Sequence, residues 1–97
     1  LCDDMIATGG SIAEAARVLK EKGARDIYIC ATHPVLAANA VDKLRKAPVR
    51  EIVTADTIPI AGKTGDDPRS RVVTVPTLLG EAIRRIHNNE SVSSLFL

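Results

Sequence analysis

The chain alternates between two hydrophobic rhythms, and that alternation restricts its fold more than any single motif does. From Ser11 to Lys22, the apolar residues Ile12, Ala15, Ala16 and Leu19 recur at i, i+3, i+4 and i+7, one face of a helix. Asp26 to Ala31 (Asp-Ile-Tyr-Ile-Cys-Ala) is a short β-rich run of the kind buried on both faces of a parallel sheet. Pro34 to Leu44 returns to the helical rhythm through Leu36, Ala40 and Lys43-Leu44, with Pro48 beyond its end. Glu51–Ala55 and Arg71–Val75 read as strands, and Leu1-Cys2 reads as the tail of another. Pro76 suits the first turn of a last helix whose Leu78, Leu79, Ala82, Ile83 and Ile86 form one stripe. Ser91 to Phe96 is expected to close the chain as a short strand. Strand, helix, strand, helix, strand, strand, helix is the pattern of an α/β parallel sheet.

Composition narrows the function classes. The 97 residues allow one domain, and 45% hydrophobic with 26% charged residues excludes a disordered chain. A net charge of +1 supplies no field to hold a nucleic-acid backbone or an anionic membrane surface. With no Trp and only Tyr28 and Phe96 aromatic, platforms for base stacking are lacking as well. Apolar runs fall far short of the ~20 residues that a spanning helix needs. Cys2 and Cys30 lie on strand-like runs and are expected to be small buried hydrophobes in a reducing cytosol. The chain opens on Leu1-Cys2-Asp3-Asp4, with neither an initiator Met nor a signal-peptide pattern. A fragment of a larger cytosolic protein is the expectation.

Ligands of parallel sheets sit outside the carboxyl ends of the strands, so the first strand-to-helix junction is the place to look. Here it reads Asp3-Asp4-Met5-Ile6-Ala7-Thr8-Gly9-Gly10-Ser11. Gly9 and Gly10 let backbone amides approach an anion and permit unusual dihedrals, while Thr8 and Ser11 add hydroxyls. The following helix aims its amide end and dipole at the same point. The dipole contributes about 0.3–1 kcal/mol at an exposed site, whereas each hydrogen bond to a charged acceptor contributes about 1.5–3 kcal/mol. Backbone amides therefore dominate any phosphate site here. Asp3 and Asp4 would repel that phosphate on contact; they suit sugar hydroxyls or a divalent cation a few ångströms away. Acidic pair and cradle together fit a sugar phosphate. The same residues also fit a Ser11/Glu14 capping box and a tight turn with no ligand, and both readings stand at this level.

The junction resembles the phosphoribosyl-binding loop of the type I phosphoribosyltransferase fold. Ala31-Thr32-His33, Thr54-Ala55-Asp56-Thr57-Ile58-Pro59, Glu81-Ala82-Ile83-Arg84-Arg85-Ile86-His87 and Ser91-Val92-Ser93-Ser94-Leu95-Phe96 are similar, in order, to the C-terminal part of the ribose-phosphate pyrophosphokinase family. That resemblance implies a three-layer α/β/α fold with a mainly parallel sheet, present here as residues 1–97 of a two-domain chain and incomplete at its N-terminus. The implied reaction transfers diphosphate from ATP to the 1-hydroxyl of ribose 5-phosphate, with Mg2+, in a cytoplasmic homo-oligomer. By carry-over, Ala7, Thr8, Gly9, Gly10 and Ser11 hold the 5-phosphate, while Asp3 and Asp4 face the ribose hydroxyls near magnesium, directly or through water. Ser91, Val92 and Ser93 fall where the family has a phosphate-recognising regulatory site at a subunit contact. No catalytic residue is expected within this segment, and the segment alone is expected to be inactive. Ala7 stands where many members carry an acidic residue, Pro34 where a Gly is usual and Ala37 where a Ser is usual. The Ala-Thr-Gly-Gly form also resembles adenine phosphoribosyltransferase, so a nucleobase phosphoribosyltransferase, or a non-catalytic assembly module of the same fold, is the alternative.

Other signals point away from chemistry. Gly62-Lys63-Thr64 resembles the end of a P-loop, but Thr57 occupies the position of the required upstream Gly, and Gly65-Asp66-Asp67-Pro68 follows instead of a helix. Residues 57–70 are expected to form a flexible, solvated loop, longer than packing requires. His33 is expected to satisfy local backbone at a strand end, His87 to complement a helix dipole, and Arg84-Arg85 to form a solvated helix face.

Overall fold

The computed structural model describes residues 1–60, 62–64 and 66–96. In chain order the elements are β1 (Cys2–Ile6), α1 (Gly10–Glu21), β2 (Tyr28–Pro34), α2 (Ala40–Lys46), β3 (Glu51–Ala55), β4 (Ser70–Val73) and α3 (Pro76–His87), followed by a 3-10 turn at Ser93–Phe96. The four strands form one sheet in the order β1-β2-β3-β4, with every neighbouring pair parallel. The α/β class and the parallel sheet are as expected.

Strand order fixes where the helices go. A sheet that advances in one direction through right-handed crossovers must drop α1 and α2 on the same face. There they pack against each other and over Ile6, Ile29, Ala31 and Ile52, with Ala16, Ala40 and Leu44 contributed by the helices. The opposite face of the sheet is open among the described residues. Along β2 the side chains therefore alternate, with Ile29 and Ala31 buried but Tyr28, Cys30 and Thr32 exposed. This corrects the expectation of a strand buried on both faces. It also corrects the cysteines: Cys2 and Cys30 are on strands and in register with each other, yet both are exposed, because they lie on the side the helices do not cover.

α1 ends as its sequence predicts. Gly23 takes φ +100°, its amide donates to Lys20 O (3.1 Å), and the Ala24 amide donates to Leu19 O (3.0 Å). These two bonds make a Schellman stop. α2 is shorter than the expected Pro34–Leu44 helix. Pro34 closes β2, and the next residues bond elsewhere: the Leu36 amide donates to Ile6 O (2.9 Å) and the Ala37 amide to Ala7 O (2.8 Å). Those bonds require Leu36 and Ala38 to adopt φ of 50° and 52°, which delays the helix to Ala40.

The stretch leading into β4 is tied to the end of α2. The Arg69 guanidinium donates to both carboxylate oxygens of Asp67 and to the carbonyls of Leu44 (2.9 Å), Ala47 (3.1 Å) and Val49 (3.3 Å) at the end of α2. Thr64 is buried and accepts a bond from Ser70 Oγ. Gly62 and Lys63 are exposed, as a solvated loop requires, and Thr64 and Asp67–Ser70 are the part tied down. Among the described residues no helix starts directly after Thr64, so the P-loop reading stays excluded; Ala61 and Gly65 lie outside the described residues.

α3 begins at Pro76, where Asp56 Oδ1 accepts the Val75 amide (2.9 Å). None of its residues is buried, and Ile83 and Ile86 are 68% and 66% exposed. The tail beyond it is a 3-10 turn, not the expected strand, because Arg85 donates to Ser91 O (3.1 Å) and Ser94 Oγ and folds the chain back. Arg84 and Arg85 both pair with Glu81, whose carboxyl their hydrogen bonds hold down at about 2. Among the described residues, no helix is long and apolar enough to cross a membrane.

Candidate functional site

The carboxyl end of β1 runs directly into the Ala7–Gly9 turn and α1. Asp3 and Asp4 are inside β1 rather than in the turn, so successive side chains point to opposite faces. A concavity of about 160 Å³ is lined by Asp3, Met5, Ile6 and the continuous run Ala7, Thr8, Gly9, Gly10, Ser11 and Ile12. Asp3 is therefore brought to the turn, and Asp4 is not. The Asp3 carboxylate accepts the Asp4 amide (2.8 Å), which fixes its direction at the rim.

The turn depends on Gly9. It precedes α1 at φ +75°, ψ 0°, a left-handed conformation that glycine adopts without cost. A side chain there would also meet Ala40, whose Cα, Cβ and O lie 3.4–3.5 Å from the position a Cβ would take. Gly10 has no such requirement, being the first residue of the helix with φ outside the left-handed region. Behind the turn, the Leu36 and Ala37 amides hold the Ile6 and Ala7 carbonyls, so β2's exit loop braces the cradle from outside.

The expected capping box does not form. No side chain caps α1, and Glu14 pairs with Arg17 instead of reaching back. Ser11 lies inside the first turn, two residues past the cap position held by Gly9. The first intrahelical bond is donated by Ala13 to Gly9 O (3.0 Å). Gly10, Ser11 and Ile12 thus present amides that helix geometry leaves without partners, beside the hydroxyls of Thr8 and Ser11. Such a set of donors suits the oxygens of a phosphate.

His33 lies at the end of β2, in register with Met5. Thr57 Oγ1 donates its one proton to Thr32 O (3.2 Å), so it accepts from His33 Nδ1–H (2.9 Å). His33 thereby ties the exits of β2 and β3 together; the expected structural role holds, through a side chain rather than backbone. Ser91, Val92 and Ser93 are not brought to the turn. They follow α3, where Ser91 Oγ accepts the Ser93 amide (3.2 Å). Sequence reading missed two participants that long-range packing supplies: the Leu36–Ala37 brace, and Lys43, whose Nζ reaches to 3.6 Å from the Cβ position of Gly10. A lysine at that spacing in an amphipathic helix carries no signal of its own.

Residues 1–97 match, over their whole length, the family described as the phosphoribosyl synthetase-associated domain. The chain belongs to that family. A ribose-phosphate pyrophosphokinase of Buchnera aphidicola is 46% identical over 96 residues, covering 99% of this chain and 30% of the relative. One from Rhodopirellula baltica is 48% identical over 94 residues, 97% of this chain and 29% of its own length. The crystal structure of phosphoribosylpyrophosphate synthetase from Mycobacterium smegmatis superposes with a TM-score of 0.85 at 40% identity, over 92% of this chain and 30% of that one. This phosphoribosyl synthetase-associated domain therefore spans about 30% of the length of the relatives it matches.

Proposed function

We propose that this domain supplies the ribose 5-phosphate site of a ribose-phosphate pyrophosphokinase, which moves diphosphate from ATP to the sugar's 1-hydroxyl and yields phosphoribosyl diphosphate and AMP. The observation that carries the reading is the single concavity lined by both Asp3 and the run Ala7–Ile12. One end offers amides and hydroxyls to a phosphate, and the other offers a carboxylate to sugar hydroxyls. The spacing keeps the negative charges of Asp3 and phosphate apart while the pentose bridges them. Phosphoryl transfer depends chiefly on positioning and charge neutralisation, and positioning is what this segment contributes.

Magnesium fits one carboxylate here, not two. Asp3 and Asp4 face opposite sides of β1, and no group of three His, Cys, Asp or Glu side chains comes together as a cage among the described residues. Mg2+ typically takes one or two carboxylates, several waters and substrate oxygens, a role Asp3 can fill. Bound there, the ion would neutralise substrate charge.

The test is ribose 5-phosphate affinity in a full-length pyrophosphokinase carrying this segment. Gly9→Val forces a β-branched residue to φ +75° against Ala40 and displaces the amides. Losing one or two charge-assisted hydrogen bonds predicts a drop of at least about 10-fold. Asp3→Asn should weaken the response to sugar and magnesium while sparing inorganic phosphate. Unchanged ribose 5-phosphate binding in a folded Gly9→Val protein overturns the assignment.

A further inference from the structure

We propose that Lys43 is the cationic member of the anion cup, a positioning residue contributed by α2 that draws the substrate's phosphate onto the amides of the β1–α1 turn. The proposal rests on the site assignment above and adds a residue to it. Its basis is a register between α2 and the turn. Ala40 and Lys43 are three residues apart and so share one face of the helix. Ala40 packs against Gly9, and Lys43 Nζ comes within 3.6 Å of the Cβ position of Gly10. Thr8 Oγ1 lies 4.0 Å from that same point, so ammonium and hydroxyl flank Gly10 together.

Among the described residues, nothing neutralises the ammonium. Lys43 is half-buried, unlike the exposed Arg45 and Lys46 of the same helix. It makes no ion pair among the described residues. Glu14, which lines the same groove as Lys43, is paired with Arg17, and Arg45 is paired with Asp66. Lys43 lines the neighbouring groove, which meets the concavity at Gly10. A phosphate on the Gly10 and Ser11 amides would therefore have this positive charge beside it across Gly10, while Asp3 stays at the other end of the concavity. Two small residues make this possible. Ala40 allows α2 to approach Gly9, and Gly10 leaves open the space that the lysine tip overlooks.

The experiment compares Lys43→Met, Lys43→Arg and Gly9→Val in a full-length pyrophosphokinase carrying this segment, reading KM and kcat for ribose 5-phosphate together with ribose binding. Met keeps the stem and removes the charge. A phosphate carries about 1.5–2 negative charges at neutral pH, so at low ionic strength Lys43→Met should raise KM about 3–5-fold. Most of that rise should vanish near 0.5 M salt, where screening lengths fall to a few ångströms. The change falls on KM rather than kcat, ribose binding does not move, and Lys43→Arg restores most of the effect. If Gly9→Val raises KM but Lys43→Met does not, the lysine proposal fails and the cup stands. If neither changes KM, the cup itself fails. A Lys43→Met effect that is insensitive to salt, appears equally with ribose, or is not rescued by Arg is structural and also overturns the proposal.

Discussion

Replacing Arg69 by Met keeps the aliphatic stem and removes the guanidinium that joins Asp67 to three carbonyls at the end of α2. The Asp67 side chain is 8% exposed and that of Arg69 is 24% exposed, so the pair is largely withdrawn from water. Removing one partner of a buried pair costs about 3–5 kcal/mol because the other charge stays behind. The residual exposure of Arg69 favours the lower end, about 3 kcal/mol. With a urea m-value of about 2 kcal/mol/M for a small protein, the midpoint should fall by about 1.5 M at fixed protein concentration. Arg69→Lys should land between, since an ammonium cannot serve a carboxylate and three carbonyls as a planar fork does. The hydrogen bonds from Arg69 hold the Asp67 carboxyl below its ordinary value. A carboxylate depressed in the folded state stabilises fully above its unfolded value, near 4, and that contribution is lost as pH falls through the folded value. The wild-type chain should therefore lose stability from this pair only below about pH 4, and Arg69→Met should lack that component. A midpoint shift under about 0.3 M, or strict additivity of Arg69→Met with Asp67→Asn, would refute the clamp.

Two further outcomes concern the packing around the cradle. Ala38 sits at φ 52°, where an L-residue is strained by about 1–2 kcal/mol; after the entropic cost of glycine, Ala38→Gly should stabilise by about 0.5–1 kcal/mol, read as a raised melting temperature, and a lowered one would contradict this account. Among the described residues, Thr54 Oγ1 on β3 is buried without a hydrogen-bond partner. Thr54→Val should therefore be neutral or stabilising by about 1 kcal/mol in urea denaturation, and a loss of that size would show the hydroxyl to be engaged.

Local periodicity made the regular elements legible. Glu51–Ala55 is a strand with the same bounds that its residues suggest, α1 begins one residue earlier than its stripe, and Gly23 stops it as expected. The left-handed turn into α1 was legible as well, from the Gly9-Gly10 pair. What sequence could not show were interactions between distant residues. The delayed start of α2 comes from bonds to Ile6 and Ala7, about thirty positions upstream. The ordered stretch before β4 comes from Arg69 reaching back to Leu44, and the folded tail comes from Arg85. The capping box failed for a local reason: Gly9, free to turn left-handed, starts the helix before Ser11 can cap it. Asp3 and Asp4 looked equivalent in sequence, and only their placement within a pleated strand separates their roles.

The uncovered side of the sheet has a thermodynamic consequence. Tyr28, Val72 and Val73 are each nearly half exposed or more, and Ile83 and Ile86 of the α3 stripe are wetter still. Whatever shields such surface binds the folded chain and not the unfolded one, so its free concentration enters the melting curve logarithmically. Any chain that covered it would make the melting temperature of this one rise with that chain's concentration.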